Sequence, residues 1–545
     1  MKRNHTILSR LTSGLCSFFR QGFRTKPSTS SFVILLTLLN TALYNWTLFS
    51  FSIENLDGFT LNSLQTLLTV FAAIYLVTTL VLYVLFILSR RLGKAVCVVF
   101  ALANSLAVYF VVTYNVILDR TMMGNIFNTQ YSESEQFLSP KLALYFILLG
   151  VLPAWLIIRA SVQKTSRVRL FVHLIITVIA TSTWIWQSQS NWLWIDKHAK
   201  HLGGIIMPWS YVGNTIRFQS QQAKENVEQT LLPDATFGSN EKTVVVLVIG
   251  ESARAENFSL YGYNKPTNPL LTASENVVTL KNATSCASYT TASVKCILSH
   301  TNPSGVFSEN FEPLPSYLQR QGIDVFWRTK NWGEPPIKVS SYLSSGDLKN
   351  NCEGEECDFD GLLLSHLAEQ IQASDKQKVF VVLHQTGSHG PSYYTKYPKE
   401  FEVFKPVCRS VELSNCTQEE LINAYDNTIL YNDHFLDQLR LTLADLDNTS
   451  SAYLYVSDHG ESLGEDGIYL HGTPYSIAPE QQLKVPFLVW MSPSFIKQKH
   501  ISVDKLKARE QSTQANIFHS VMGAFDMDSE IYDKDLDMFR AASQP

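Results

Sequence analysis

Five apolar runs, at residues 31–52, 64–88, 95–118, 142–158 and 170–186, constrain this chain more than any other feature. A helix rises ~1.5 Å per residue, so about 20 apolar residues cross a ~30 Å hydrocarbon core. Each run fits such a span, although the fourth is short and contains Pro153. A buried helix of a soluble protein rarely runs this long without a charge. We therefore expect a five-helix transmembrane domain over 31–189, preceded by a basic tail over 1–30. Lys2, Arg3, Arg10, Arg20, Arg24 and Lys26 lie in that tail, Arg90, Arg91 and Lys94 after the second run, and Arg159, Lys164, Arg167 and Arg169 after the fourth. The alternate loops hold Glu54, Asp57, Asp119, Glu133 and Glu135, with only Arg120 and Lys141. The positive-inside rule then puts the tail in the cytoplasm and everything after the fifth run outside it. A cleaved signal peptide is the rival for the first run. The long basic region, the long apolar run and the lack of a clear small-x-small cleavage site favour an uncleaved anchor.

Charge divides the chain at the same place. Residues 1–190 carry 15 Lys and Arg against 5 Asp and Glu, whereas the remainder carries 29 against 43. The overall net charge of −4 argues against a nucleic-acid binder. Residues 190–241 read as an interfacial segment and bridging linker, with Trp192, Trp194, Trp209 and Tyr211 among Asp196, Lys197, His198, Lys200 and His201. Of eight cysteines, Cys16 and Cys97 lie in the tail and the third span; the other six form three close sets, Cys286/Cys296, Cys352/Cys357 and Cys408/Cys416. An even number confined to the external side suits an oxidising compartment. None has the C-x₂-C spacing of a structural zinc site, and six cysteines allow 15 connectivities, of which nearest-neighbour pairing is the most economical.

From 242 to 545 the pattern changes to β-branched runs alternating with amphipathic segments, which predicts an α/β domain with a mostly parallel sheet. Three runs end in polar clusters: TVVVLVI in Gly250-Glu251-Ser252, KVFVVL in His384 and then Gly387-Ser388-His389-Gly390, and AYLYV in Ser457-Asp458-His459-Gly460-Glu461. Open α/β sheets carry their sites at the carboxyl ends of strands. Asp458 and His459 are both zinc-ligand types, and the following glycine lets the backbone turn closely around an ion. Glu251 directly after an apolar strand would be buried at a cost of several kcal/mol unless paired or metal-bound; a salt bridge to Arg254 is the plain alternative. His389 and His471 sit in glycine-flanked loops and suit a second metal or a phosphate contact, whereas His384 reads as structural. Between Cys286 and Cys296 lie Ser288, Thr290, Thr291 and Ser293, each a hydroxyl that metal coordination could activate as a nucleophile. No Walker loop, G-x-S-x-G elbow, kinase set or C-x-P-x-R sulfatase segment is present.

With these stretches in view the chain resembles the phosphoethanolamine–lipid A transferases, the family that includes the mobile colistin-resistance enzymes, within the alkaline phosphatase superfamily. The matching stretches are VIGESARAENFSLYGY at 248–263, TSCASYTTASVKC at 284–296, VLHQTGSHGPSYY at 382–394, INAYDN at 422–427 and YVSDHGESLGEDGIYLHG at 455–472. The resemblance implies a fold of five transmembrane helices followed by a periplasmic alkaline phosphatase-like domain. It implies a primary zinc site of Glu251, Thr290, Asp458 and His459, with Thr290, counted from the first cysteine, as the nucleophile. It places His389 and His471 near the substrate phosphate or a second zinc, and pairs Cys286–Cys296, Cys352–Cys357 and Cys408–Cys416 as disulfides. The expected enzyme is a monomeric, multi-pass inner-membrane phosphotransferase using one or two Zn²⁺. Its donor would be phosphatidylethanolamine, its acceptor lipid A of lipopolysaccharide and its consequence polymyxin resistance. The same chemistry on a core sugar or another glycan, a membrane-anchored phosphodiesterase and a lipoteichoic-acid-like phosphoglycerol transferase are the rivals. The chain departs from the family where Ala287-Ser288 replaces the usual Gly-Thr after the first cysteine and Lys295 the usual proline. After Trp327-Arg328 it lacks the family's lysine, for which Lys330 and Lys338 are the nearby substitutes.

Overall fold

A computed structural model describes residues 26–56, 58, 60–128, 134–188, 192–225, 229–301 and 310–543. The tail up to residue 25, with Cys16, and the loop acids Asp57 and Glu133 lie outside the described residues. The chain divides into two compact units, one built mainly from 26–113 and 138–216, the other mainly from 217 onward.

In the first unit four helices are long and apolar enough to cross a membrane: α3 (Leu61–Leu88), α4 (Arg90–Tyr114), α5 (Pro140–Arg159) and α6 (Arg167–Gln187). A fifth span results if α1 (Thr29–Tyr44) and α2 (Trp46–Glu54), bent by 55°, count as one. The bend has a local cause. Asn45, between the two helices, accepts from Met207 N at 2.8 Å and donates to Met207 O at 3.0 Å, so its amide bonds another segment instead of lying idle in a helix. The Pro153 of α5 follows the same logic. Proline cannot bond the carbonyl four residues back, and the turn before it widens to a π-helix over Phe146–Val151. The freed Leu149 carbonyl accepts from the Tyr44 hydroxyl at 2.7 Å. Phe32 and Leu36 of α1, Tyr83 and Phe86 of α3, Ile157 of α5 and Leu170 of α6 form one apolar cluster. The third helix stops at Tyr114, short of the expected 118, and Asn115 takes φ of 55° just beyond it. After α6 come short helices at Trp192–Lys197 and Ala199–Ile205, then α7 (Trp209–Glu225).

The second unit is an α/β domain around a seven-stranded sheet. Its strands, in chain order, are β1 (Thr243–Gly250), β2 (Val277–Thr279), β3 (Asp324–Thr329), β4 (Ser341–Ser344), β5 (Lys378–His384), β6 (Ser450–Ser457) and β7 (Phe487–Met491). In space they run β2-β7-β6-β1-β5-β3-β4, and only β7 is antiparallel to its neighbours. Every residue of β1 and β5 is buried, as expected for central parallel strands covered on both faces. On one face Val245, Leu247 and Ile249 of β1 meet Phe380 and Val382 of β5, and α8 (Thr290–Ile297) packs there through Val294 and Ile297. The long helix α9 (Gln418–Ala444), started by a Thr417/Glu420 capping box, packs along β6. Three disulfides join Cys286 to Cys296, Cys352 to Cys357 and Cys408 to Cys416, while Cys97 in α4 is free and buried.

Gly460 ends the β6 turn so tightly that a Cβ there would lie 2.0 Å from the carbonyl oxygen of Gln481. Gly460→Ala is expected to cost ~2 kcal/mol by overpacking and to lower the apparent melting temperature of the purified chain by a few degrees. An unchanged melting curve would argue against this contact.

Candidate functional site

Parallel order brings the carboxyl ends of β1, β5 and β6 side by side, because Ile249 is in register with both His384 and Val456. Glu251 leaves β1, Asp458 and His459 leave β6, and the first residue of α8, Thr290, points its hydroxyl among them. All four are buried, at 0–3% exposure. Thr290 Oγ1 donates to Glu251 Oε2 at 3.1 Å and lies 3.4 Å from His459 Nε2. His459 Nε2 is 3.3 Å from Glu251 Oε1 and 3.3 Å from Asp458 Oδ2. Both serine hydroxyls of the clamp are committed elsewhere: Ser288 donates to Thr473 O and Ser293 to Ala287 O.

The site's hydrogen bonds set the tautomers. His459 Nδ1 faces the Gly460 carbonyl at 2.9 Å and must donate, which leaves Nε2 as a lone pair toward the carboxylates. His471 Nδ1 faces Glu461 Oε2 at 2.8 Å and does the same. Burial, followed by its neighbour His471, lowers His459 to about 3. Burial likewise lowers His389 to about 3. Both rings are neutral at pH 7, the form that ligates a metal. Burial and the adjacent Glu251 push Asp458 well above the usual carboxylate range. Its Oδ1 accepts from the amides of Ser252 and His459, but the buried Oδ2 has no hydrogen-bond partner. Arg254 does not relieve these acids, since it pairs with Glu465 at 2.8 Å and with Glu256. An orphaned carboxylate oxygen, a second carboxylate and imidazole lone pairs converging without a basic side chain are a donor set suited to a divalent metal. Ligand atoms of Glu251, His459 and His471 fall within 4.8 Å of one another. His389 stands one ring further out, its centroid 5.3 Å from that of His471, against 4.2 Å between His471 and His459.

Several supporting residues escaped the reading of the sequence. Ser252, at φ of 57°, donates to Glu251 Oε1 at 2.7 Å. Asn331 donates to Glu251 Oε2 at 2.8 Å and to Gln385 O. It follows β3, so a fourth strand end serves the site. Glu461 accepts from the Tyr393 hydroxyl at 2.7 Å as well as from His471. Gly387, at φ of 53°, passes so close to Glu251 that a Cβ there would meet its carbonyl oxygen at 2.6 Å. Lys330 turns away to donate to Asp358 O at 2.6 Å, and Lys338 is exposed. On the methyl side of Thr290 lies glycine backbone: a Cβ on Gly333 would be 3.3 Å from the methyl groups of both Thr290 and Thr291.

Comparisons agree with this architecture. A sulfatase family profile matches residues 243–527, and a profile described as phosphoethanolamine transferase EptA/EptB matches 64–223. Phosphoethanolamine transferase EptA of Helicobacter pylori is 39% identical over 94% of this chain and 96% of its own length. Phosphatidylethanolamine transferase Mcr-1 of Escherichia coli is 29% identical over 89% of this chain and 97% of its own. The integral membrane lipooligosaccharide phosphoethanolamine transferase A of Neisseria meningitidis superposes with a TM-score of 0.87 at 28% identity, over 96% of this chain and 100% of that one.

If the cluster holds a metal, Asp458→Asn should weaken binding on the order of a hundredfold. Metal analysis of the dialysed full-length chain checks this, and equal metal content in parent and variant would remove Asp458 from the ligand set.

Proposed function

The chain belongs to the phosphoethanolamine transferase family of the alkaline phosphatase superfamily, and from that membership we propose that it moves phosphoethanolamine from phosphatidylethanolamine to a lipid A phosphate through a phospho-threonine at Thr290. The observation that carries this reading is the Thr290 hydroxyl, held 3.1 Å from Glu251 and 3.4 Å from His459 at the head of α8. The names of the relatives supply the donor and the acceptor class: Mcr-1 is a phosphatidylethanolamine transferase and the Neisseria enzyme acts on lipooligosaccharide.

Glu251, Thr290, Asp458 and His459 would hold one zinc ion, with His389 and His471 beside a second. Zinc bound there supplies Lewis acidity, which lowers the hydroxyl pKa and polarises the phosphodiester. The chain's own groups do the rest. Glu251 accepts the Thr290 proton. Asn331 and Ser252 fix Glu251 in place, and the start of α8 sets backbone N–H dipoles toward the developing anion. Thr290 Oγ attacks phosphorus, and the diacylglycerol oxygen leaves with the proton that Glu251 took. The acceptor phosphate oxygen then attacks the phospho-threonine, and the acidic proton of the acceptor phosphate returns to the Thr290 oxygen as it leaves. His471, with Nδ1 held by Glu461, offers its ring to the phosphate or a second ion. Both substrates are lipids, which gives the membrane unit its purpose: it holds the nucleophile beside the bilayer surface. In this reading the tail over 1–30 is cytoplasmic, α1 and α2 make the first of five spans, residues 190–241 lie at the interface and link the two units, and the catalytic unit over 242–545 faces the periplasm. Ethanolamine added to lipid A offsets anionic charge and weakens attraction for polymyxin.

The test is the lipid A mass spectrum of a polymyxin-sensitive host expressing this chain or Thr290→Ala. We expect a phosphoethanolamine increment with the parent and none with the variant. No increment from a folded parent would sink the lipid A assignment, with free phosphoethanolamine in its place indicating a phosphodiesterase. An increment surviving Thr290→Ala would overturn the nucleophile.

A further inference from the structure

The membrane unit contains a cavity of about 590 Å³, within the size range of ligand sites. It lies among α1, α3, α4 and α5, and its wall is almost wholly apolar, with Phe32, Leu36, Leu82, Phe100, Ala101 and Leu156 on it. Along α1 it is lined from Ser31 to Tyr44, a rise of ~20 Å. That matches the ~15 Å depth of one leaflet's hydrocarbon with some headgroup region added.

The two ends differ in chemistry. At the outer end the polar groups are spent on one another. Asn104 donates to Asn40 Oδ1 at 3.0 Å, Asn40 donates to Met207 O at 3.1 Å, and the Tyr211 hydroxyl donates to Asn104 Oδ1 at 3.0 Å. At the inner end the lining is Ser31, Ser161 and Arg159. Arg159 stacks over Trp155 at 4.9 Å and has no ion pair among the described residues. Nearby, Lys94 Nζ donates to the carbonyls of Ile158 and Ala160, and Arg90 donates to that of Val162. These cations meet only neutral carbonyls, and the described inner segments 26–31, 88–95 and 158–170 contain no Asp or Glu. An apolar slot one leaflet deep therefore meets a cationic rim that lacks acidic counter-charge among the described residues.

We infer that this cavity is a lipid site, holding one acyl chain of an anionic glycerophospholipid from the cytoplasmic leaflet with its phosphate against Arg159. Juxtamembrane cations gain from anionic headgroups in this way, and the slot gives that attraction a fixed address. The inner and outer ends are those of the topology given under Proposed function, and the cavity does not depend on the transfer chemistry.

The experiment is native mass spectrometry of the full-length chain incubated with palmitoyl-oleoyl phosphatidylglycerol or the matching phosphatidylcholine. The parent should retain phosphatidylglycerol about fivefold over phosphatidylcholine, Arg159→Gln should lose that preference, and Lys164→Gln, at an exposed inner lysine off the cavity wall, should keep it. Ala101→Phe, which fills the slot, should lower retention of both lipids. Equal retention of the two lipids by the parent would overturn the site. So would an equal loss in Lys164→Gln, which would reduce it to general surface charge, or full retention in an Ala101→Phe protein that elutes like the parent. If Ala101→Phe does not fold, the contrast between Arg159→Gln and Lys164→Gln decides alone.

Discussion

The catalytic unit is organised around a charge problem. Glu251 and Asp458 are buried together with the imidazole of His459, and the nearest guanidinium, Arg254, is turned to Glu465 and Glu256. Two carboxylates in that setting cost several kcal/mol each unless a cation joins them. The protein leaves one oxygen, Asp458 Oδ2, without any partner while satisfying the others closely. The surrounding architecture serves that arrangement. Parallel strands in register deliver the acids and the histidine to one edge, α8 delivers the hydroxyl, and Gly387 and Gly460 keep the backbone near enough for the groups to meet. Stability is given up locally for a donor set suited to a cation.

Much of this was legible in the residues because the signals were periodic or chemically conspicuous. The apolar runs announced the membrane helices, and the valine-rich runs ending in Glu251 and Asp458-His459 announced strand ends. Thr290 was different. Chemistry alone left it level with Ser288, Thr291 and Ser293, and resemblance favoured it before its contacts were seen. The contacts that separate them depend on which way α8 leaves the clamp, which no local pattern encodes. Asn331 was invisible for a similar reason: an amide in a loop has no characteristic spacing, and its value comes from β3 lying beside β5. Ser252 adopts a left-handed backbone that its residue type does not advertise.

The membrane unit shows how a helix broken in an apolar setting is repaired. Pro153 strips a hydrogen bond from Leu149 and the Tyr44 hydroxyl restores it; Asn45 interrupts the first span and pairs both backbone groups of Met207. Such repairs tie segments far apart in sequence, so the breaks act as fastenings. The first span bends where it is pinned, and the proline-containing helix widens where a neighbour supplies the missing donor.

The clamp around Thr290 has a cellular consequence. Thr290 sits among the nine residues closed by the Cys286–Cys296 bond, and every disulfide among the described residues belongs to the same unit, whereas Cys97 of the membrane unit is free. A chain retained on the reducing side of the membrane would lack the bracket around the Thr290 hydroxyl. Maturation is thereby tied to passage across the bilayer.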